Sequence, residues 1–295
     1  MAAEARWFGQ RNGAGRRSEV AGLDALESPL STGPSIGRRA WASFWPKAMA
    51  VAIVFVAWEL VVLSGWRPSY VLPPPTAVLG RFAEELATPE MWGAIWITIR
   101  RGVWGFAIAV AIGVSIGILV SRFAVMRSAI GSLIMGLQTM PSIAWFPLAI
   151  LLFGLSEEAI TFVIVLGAAP SIANGLIHGV DHIPPVLRRA GRVLGARGLA
   201  EYRHVVLPAA LPDFVGGLKQ GWAFAWRSLM AGEIIVVIAN KVSLGQLLQV
   251  NRELADSEGL LATMLVILVI GILVDALGFG QLERRIRRKR GLLAT

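Results

Sequence analysis

Residues 92–120 read WGAIWITIRRGVWGFAIAVAIGVSIGILV, an almost unbroken apolar run of 29 residues. About 20 apolar residues are enough for an α-helix to cross a bilayer, so this stretch predicts a long membrane-spanning helix. Its first half carries three tryptophans and the pair Arg100 and Arg101. Aromatic rings and long basic side chains suit the headgroup layer, so we predict that this half, including both arginines, is interfacial.

The composition of the whole chain also favours a bilayer as its solvent. Of 295 residues, 55% are hydrophobic and only 16% are charged, and the mean hydropathy is +0.64. A chain of this composition has more apolar surface than a soluble domain of this length can bury. The absence of cysteine excludes disulfides, thiolate nucleophiles and sulfur-ligated zinc. The formal charge of +9 comes from basic residues at the ends of apolar stretches, which predicts membrane orientation and not nucleic-acid binding.

Apolar stretches of sufficient length occur six times, which predicts an all-α membrane protein with six transmembrane helices. The predicted spans are residues 48–63, 92–120, 129–152, 159–176, 214–238 and 260–279.

Two local patterns refine these helices. Ala109, Gly113 and Gly117 recur at four-residue spacing and predict a face on which another helix packs closely. Pro141 and Pro147 interrupt the third span, and each removes a backbone donor, so each is predicted to kink that helix.

Lysine and arginine counts orient the spans, because cytoplasmic segments hold the excess. With both termini in the cytoplasm, the inside segments hold 20 of these residues against four outside, or six if Arg100 and Arg101 are added. The predicted organisation is a cytoplasmic tail (1–40), a first span with an outside loop (41–90), a transmembrane domain (91–283) that contains a long cytoplasmic loop (178–208), and a basic cytoplasmic tail (284–295).

The most specific motif lies in the loop at 178–208. Three residues separate RAG at 189–191 from Gly195, and nine residues separate Gly195 from VVLP at 205–208. A glycine permits a sharp turn and a proline ends one element before the next begins, so the loop is predicted to present a short helix to another protein and then re-enter the membrane.

This spacing resembles the permease signature of bacterial ABC importers: Glu-Ala-Ala, three residues, Gly, nine residues, an aliphatic residue, one residue, Leu-Pro. Arg189 and Gly191 depart from it, since the family commonly has Glu and Ala at these positions. The resemblance implies that this loop contacts an ATPase subunit. The residues expected to carry that coupling contact are Arg189, Ala190, Gly191, Gly195, Ala196, Leu207 and Pro208.

The likeness extends over residues 70–288. Further matching segments are LPPP at 72–75, MPSIAWFP at 140–147, RVLGA at 192–196, VLPAALP at 206–212 and AGE at 231–233. These segments are similar to the branch of ABC importer permeases that imports nitrate, sulfonates, taurine or bicarbonate.

The resemblance implies a type I ABC importer permease bundle. It also implies two ATPase subunits that hold ATP and Mg²⁺, an external solute-binding protein (a lipoprotein or a periplasmic protein) and a second permease subunit, with a homodimer as the default. The expected location is the bacterial cytoplasmic (inner) membrane, with several passes, and the expected solute is a small anion. We expect this chain to bind no cofactor or metal and not to be an enzyme, because none of its four lysines follows a glycine, as a Gly-Lys-Ser/Thr phosphate loop requires.

Ionisable residues within spans need a partner or water. Arg227 and Glu233 are six residues apart and project from different faces of a helix, so they are not expected to pair with each other. Arginine stays charged when buried, whereas a carboxyl group can protonate, so we predict that Arg227 faces the translocation path and that Glu233 is structural. For both residues, bracing of neighbouring helices stays open as the alternative. The candidate path residues are Met140, Pro141, Trp222, Trp226, Arg227 and Glu233.

Two other classes of protein compete with a permease. A secondary transporter or channel would use intramembrane charges as ion sites and is expected to show an internal repeat, which the sequence does not display. A membrane-embedded enzyme would need clustered carboxylates or histidines within spans, whereas His178, His182 and His204 all fall in the loop at 178–208.

Overall fold

The structure, a computed structural model, describes residues 36–239 and 241–289, and every regular element in these residues is helical. Of the tail predicted for residues 1–40, residues 1–35 lie outside the described residues, and residues 36–40 belong to the first helix. The basic tail predicted from residue 284 is helical up to Lys289, and its remainder lies outside the described residues.

The helices are α1 Ile36–Leu63, α2 Pro75–Leu86, α3 Pro89–Arg122, α4 Ala124–Thr139, α5 Phe146–Phe153, α6 Glu157–Asp181, α7 Pro185–Val193, α8 Leu199–Glu201, α9 Leu207–Ile235, α10 Leu244–Glu253, α11 Ser257–Leu273 and α12 Gly280–Lys289. A 3₁₀ turn at Ser142–Trp145 leads into α5. Turns of π-helix at Tyr202–Val206 and Val274–Phe279 connect α8 to α9 and α11 to α12.

Four helical stretches are long and apolar enough to cross a membrane: Phe44–Leu63, Pro89–Arg122, Glu157–Asp181 and Ser257–Ile286. Helices α4 and α5 together form a fifth if the bent pair is one span. Helix α9 has 29 residues, which is long enough, but polar residues such as Lys219, Gln220 and Arg227 lower its hydropathy. The described residues thus contain four or five apolar spans, and the predicted span at 214–238 falls mainly in the more polar helix α9.

The chain divides into two units, and α1 belongs mainly to the first. In the second unit, which begins at Val62, α6 lies at the centre and packs against both α3 and α9. The side of α3 that carries Gly113 contacts α6 so closely that a Cβ atom on Gly113 would lie 2.7 Å from the carbonyl oxygen of Ala169. The predicted packing face at Ala109, Gly113 and Gly117 is therefore confirmed.

The third predicted span is broken rather than kinked. Helices α4 and α5 meet at an angle of 104°, and the break falls at Met140 and Pro141. Pro147 lies in the first turn of α5, where no intrahelical acceptor awaits its missing N–H. Pro141 therefore lies at the interruption, which is a break between two helices and not the predicted kink, and the prediction of a kink at Pro147 is wrong.

A further difference lies at residues 241–258, between the predicted spans 214–238 and 260–279, for which no helix was predicted from the sequence. They contain α10, whose first residue Leu244 is fully buried. Its first backbone N–H groups are bonded to side chains of α3 and α9. A search for apolar runs misses this helix because its leucines at 244, 247 and 248, although spaced at the helical period, are separated by polar residues and form no run of span length.

Candidate functional site

Helix α7 lies in the loop between α6 and α9 and ends at Val193, two residues before Gly195. The backbone N–H of Ala196 donates to the carbonyl oxygen of Gly191 at 2.9 Å, and that of Gly195 donates to Arg192 at 3.1 Å. This pair of bonds is a Schellman motif, in which the residue after the helix takes a left-handed conformation. Gly195 has φ +86°, while nothing lies within 4 Å of where its Cβ would be, so the turn requires glycine for its backbone conformation and not for space.

One face of α7 is bare in the isolated chain. Arg189 and Ala190 are exposed, and Val193 and Leu194 are each 86% exposed. The other two arginines of α7 are held within the chain: Arg188 donates to the carbonyl oxygen of Val180, and Arg192 lies 3.6 Å from Glu201. Arg189 thus remains available, beside exposed apolar side chains, for a group outside this chain.

Gly191 faces the opposite side and is buried. A Cβ atom there would lie 2.6 Å from Cγ2 of Val205. The glycine that replaces the more common alanine of the signature therefore lets α7 pack directly on the π-helical turn. That close approach gives a physical reason for the departure.

The end of the motif differs from the expected arrangement. Pro208 was predicted to end one element before the next begins, yet α8, the π turn and α9 run on without interruption. Leu207 donates its N–H to the carbonyl oxygen of Tyr202, five residues back. Pro208, which has no N–H to donate, follows as the second residue of α9. It therefore lies within a continuous helical stretch and does not end an element.

At the opposite end of the bundle, where Glu157 begins α6, a buried ion-pair network joins three helices. Arg101 of α3 donates from Nη1 to Oε1 of Glu233 at 3.1 Å, and from Nε and Nη2 to the two carboxylate oxygens of Glu157 at 2.6 and 2.9 Å. Lys241 adds a 3.0 Å contact to Glu157. If all four side chains are ionised, the two positive and two negative charges balance.

Glu233 also anchors the beginning of α10. Its Oε2 accepts from Oγ1 of Thr98 at 2.9 Å and from the backbone N–H of Gly245 at 3.1 Å, and Thr98 in turn accepts from the N–H of Leu244 at 3.0 Å. A carboxylate at a helix N-terminus satisfies free N–H groups and complements the helix dipole. The AGE segment at 231–233 therefore supplies the group that attaches α10 to α3 and α9.

Arg101 is where the sequence-based interpretation was wrong. It is only 8% exposed and is paired with carboxylates inside the protein, instead of snorkelling outwards to headgroups as predicted, whereas its neighbour Arg100 is exposed. A signal was present: Arg101 falls three or four residues from Thr98 and Gly105, on the same buried face of α3 as Ala109. Helical periodicity could have placed Arg101 inside the protein.

The six candidate path residues do not form one group. Glu233 belongs to the buried network. Trp222 is buried edge-on to Phe106, with ring centroids 5.2 Å apart, and stacks on Trp226 at 6.1 Å. Trp222 is therefore an internal packing residue, which differs from the predicted path position, and Trp226 borders a groove between α9 and α11.

Met140, Pro141 and Arg227 do come together. They line a cavity of about 370 Å³ at the break between α4 and α5. The Arg227 guanidinium lies 4.6 Å from the ring centre of Phe224, and its Nε donates to the carbonyl oxygen of Ala223 at 3.2 Å. Within the described residues no carboxylate lies within 4 Å of Arg227.

Arg227 belongs to a polar stripe along α9. Its members recur every three or four residues and span an arc of about 80° at 100° per residue. Five of the six are exposed and the sixth is partly exposed. We call this face the polar stripe because it carries the polar residues Asp213, Gln220 and Arg227, and its other members are small: Gly216, Ala223 and Ala231.

Comparison with known proteins gives a consistent result. Residues 109–288 match the family described as binding-protein-dependent transport system inner membrane component. An ABC transporter permease protein of Methanocaldococcus jannaschii is 32% identical over 76% of this chain and 84% of its own length. The taurine transport system permease protein TauC of Escherichia coli is 28% identical over 82% of this chain and 91% of its own.

Among solved structures, a chain of the MetNI methionine ABC transporter superposes with a TM-score of 0.57. It covers 68% of this chain and 99% of its own length at 20% identity, a likeness that shows a shared fold. Other relatives are named as permeases for aliphatic sulfonates and nitrate, in agreement with the resemblance inferred from the motif segments. The chain therefore belongs to the family of binding-protein-dependent transport system inner membrane components, the non-catalytic permease subunits of ABC importers, whose ATPase is a separate subunit.

Proposed function

We propose that this chain forms the membrane path of an ATP-driven importer for a small oxyanion such as a sulfonate, taurine, nitrate or bicarbonate. The solute class rests on the transport named for the relatives and on a chemical feature of this chain. That feature is the polar stripe of α9, which is the single observation that carries the proposal.

The polar stripe is incompatible with lipid. Asp213, Gln220 and Arg227 lie along a helix of membrane-spanning length, and exposing such groups to hydrocarbon is costly. They need water or another protein, and the described part of this chain leaves them exposed. A water-filled path beside a second permease subunit would provide both, and we infer that this second subunit is an identical copy.

Coupling to ATP hydrolysis is assigned to α7 and the turn at Gly195. The exposed face with Arg189, Val193 and Leu194 is the surface that would dock on the ATPase subunit. Because α7 packs through Gly191 on Val205 of the π turn, and that turn continues into α9 without a break, a displacement of α7 would be transmitted along α9 to the polar stripe. ATP and Mg²⁺ would bind to the ATPase alone.

The proposed topology has six spans, with α9 as the fifth and both termini in the cytoplasm of a bacterial inner membrane. The charge distribution of the sequence supports it. Two exposed residues at opposite ends of the bundle offer a matched test, Leu155 at 59% and Val193 at 86% exposure. In this cysteine-free chain, Leu155→Cys should react with an impermeant thiol reagent in intact cells and Val193→Cys should react only after lysis; labelling of Val193→Cys in intact cells would contradict the topology.

Function is tested by uptake into proteoliposomes that contain the permease, its ATPase and its binding protein. The wild-type complex should accumulate taurine, ethanesulfonate or nitrate only with ATP. Gly195→Val should lower the uptake rate about tenfold, because a β-branched residue is strained in the left-handed region, whereas Gly195→Asn should retain most of it.

The two substitutions at Gly195 form a matched pair, because no atom lies within 4 Å of the added Cβ and only the backbone preference separates them. Complex formation with the ATPase is measured in parallel. Wild-type uptake by Gly195→Val would contradict the assignment of the coupling turn, and ATP-independent uptake by the wild type would contradict the proposed function.

A further inference from the structure

Arg227 differs from Arg101 and Lys219, two other basic residues within the spans, in having no acidic partner among the described residues. Arg101 is paired with two carboxylates, and Nζ of Lys219 lies 3.2 Å from a carboxylate oxygen of Asp275. In the described part of the chain, Arg227 has one backbone acceptor and one aromatic neighbour. Its two Nη groups are therefore available to a ligand.

The cavity beside Arg227 has the chemistry of a small anion site. Its volume of about 370 Å³ lies within the usual range of small-molecule sites, about 300–1,000 Å³. Among the described residues that line it, Arg227 is the only ionisable one, and Gln138, Thr139 and Ser142 add uncharged polar groups. Met140 and Pro141 make the remaining wall at the α4–α5 break apolar.

The environment of the guanidinium also fixes its direction. Phe224 lies beside the guanidinium and Nε is bonded to Ala223, so the end of the planar fork stays free. A guanidinium fork matches the paired oxygens of a carboxylate or other oxyanion. A single fixed charge would offset part of the cost of removing water from the anion. Because the neighbouring polar groups are uncharged, the anion would bind weakly enough to be released.

We propose that this cavity is an intermediate binding site for the transported anion, with the Arg227 guanidinium binding the oxyanion group and Gln138 and Ser142 contacting it from the α4–α5 break. The inference rests on the proposed function and names the place in the path where the negative charge is recognised. Selection of an anion would then occur inside the membrane as well as at the external binding protein.

A larger cavity, of about 690 Å³, is less suited to an anion. It contains Arg100 and Lys241, but Glu157 and Glu158 also line it, and their charges would repel an anion. Arg101, which reaches the same cavity, is already paired with two carboxylates. Arg100 therefore serves as a matched control, an exposed arginine in a span beside a different cavity.

The experiment measures initial uptake of radiolabelled taurine and of nitrate by the reconstituted transporter, at saturating binding protein and normalised to assembled complex. Arg227→Gln should lower the rate about tenfold or more, since it removes the charge-assisted contact. Arg227→Lys should retain an intermediate rate, because it keeps the charge without the fork. Arg100→Gln should stay within about twofold of wild type because Arg100 is outside the site.

Each result bears on the inference differently. Uptake by Arg227→Gln at more than half the wild-type rate would overturn the anion site and leave the proposed function intact. Loss of assembled complex with an unchanged uptake rate per complex would assign Arg227 to the contact between subunits and would also overturn the anion site. If the wild type imported neither taurine nor nitrate, the proposed solute class would be wrong and this inference with it.

Discussion

Two arginines within membrane spans, Arg101 and Arg227, have opposite environments. Arg101 is buried and shared between the carboxylates of Glu233 and Glu157, whereas Arg227 is exposed beside a cavity with no acidic partner in the described chain. A permanent charge in a bilayer needs either a counter-ion or water. The comparison teaches that one arginine fixes the helices in place, whereas the other has no counter-ion within the described chain and is the one we propose to bind a solute.

The largest effect is expected from removing the buried partner of Arg101. Glu233→Ala should lower the free energy of unfolding by about 3–5 kcal/mol, because it leaves Thr98, Gly245 and part of the Arg101 charge without an acceptor. Glu233→Gln should be milder, since its amide oxygen can still accept from Gly245. The measurement is thermal stability of the purified permease in detergent.

Asp275→Ala is the matched control for Glu233→Ala. Asp275 also pairs with a basic residue in a span, but both side chains of that pair are nearly half exposed, so its loss should cost about 1 kcal/mol or less. Equal destabilisation by Asp275→Ala and Glu233→Ala would remove the distinction between a buried brace and an exposed pair.

A second, smaller effect should follow from disturbing the same network through its backbone donor. A Cβ atom on Gly245 would collide with Cβ of Glu233, so Gly245→Ala must displace the first turn of α10 and lengthen its bond to Glu233. Forced overpacking of this kind costs about 1–3 kcal/mol.

Gly93 provides the control for that substitution, since it is helical and nothing lies within 4 Å of its Cβ position. Gly93→Ala should stabilise by up to about 1 kcal/mol through helix propensity. If Gly245→Ala were as well tolerated as Gly93→Ala in the same thermal assay, the close contact between α10 and Glu233 would not exist in the protein.

The smallest effect is expected at the exposed edge of the network. Glu157 is 32% exposed and is shared by Arg101 and Lys241. Glu157→Gln should cost only about 1 kcal/mol, and the difference from wild type should shrink in 1 M salt because solvent screens the pair. A salt-independent loss as large as that of Glu233→Ala would place Glu157 in the buried part of the network.

The sequence predicted those features that arise from local pattern. The four-residue spacing of Ala109, Gly113 and Gly117 predicted the packing face, and Pro141 predicted an interruption of the third span, although as a kink and not as a break. Gly195, at the centre of a spaced motif, predicted a sharp turn after a short helix. Each depends on backbone conformation or on helical period, which neighbouring residues determine.

The sequence could not reveal partners that are far apart in the chain. Arg101 and Glu233 are separated by 132 residues, and no pattern in one sequence links them. Arg100 and Arg101 are identical neighbours, and only the buried face of α3 distinguishes them. Helix α10 was missed because it is held by Glu233 and Thr98 rather than by an apolar run of its own.

The most direct test of this account compares Arg101→Gln with Arg227→Gln in one preparation, recording the amount of assembled transporter and the uptake rate per assembled transporter. Arg101→Gln is predicted to reduce the assembled amount severely, while any complex that forms transports at close to the wild-type rate. Arg227→Gln is predicted to assemble as wild type does and to transport about tenfold more slowly. The account would be contradicted if both variants lost only assembly, or if Arg101→Gln assembled normally and Arg227→Gln transported at the wild-type rate.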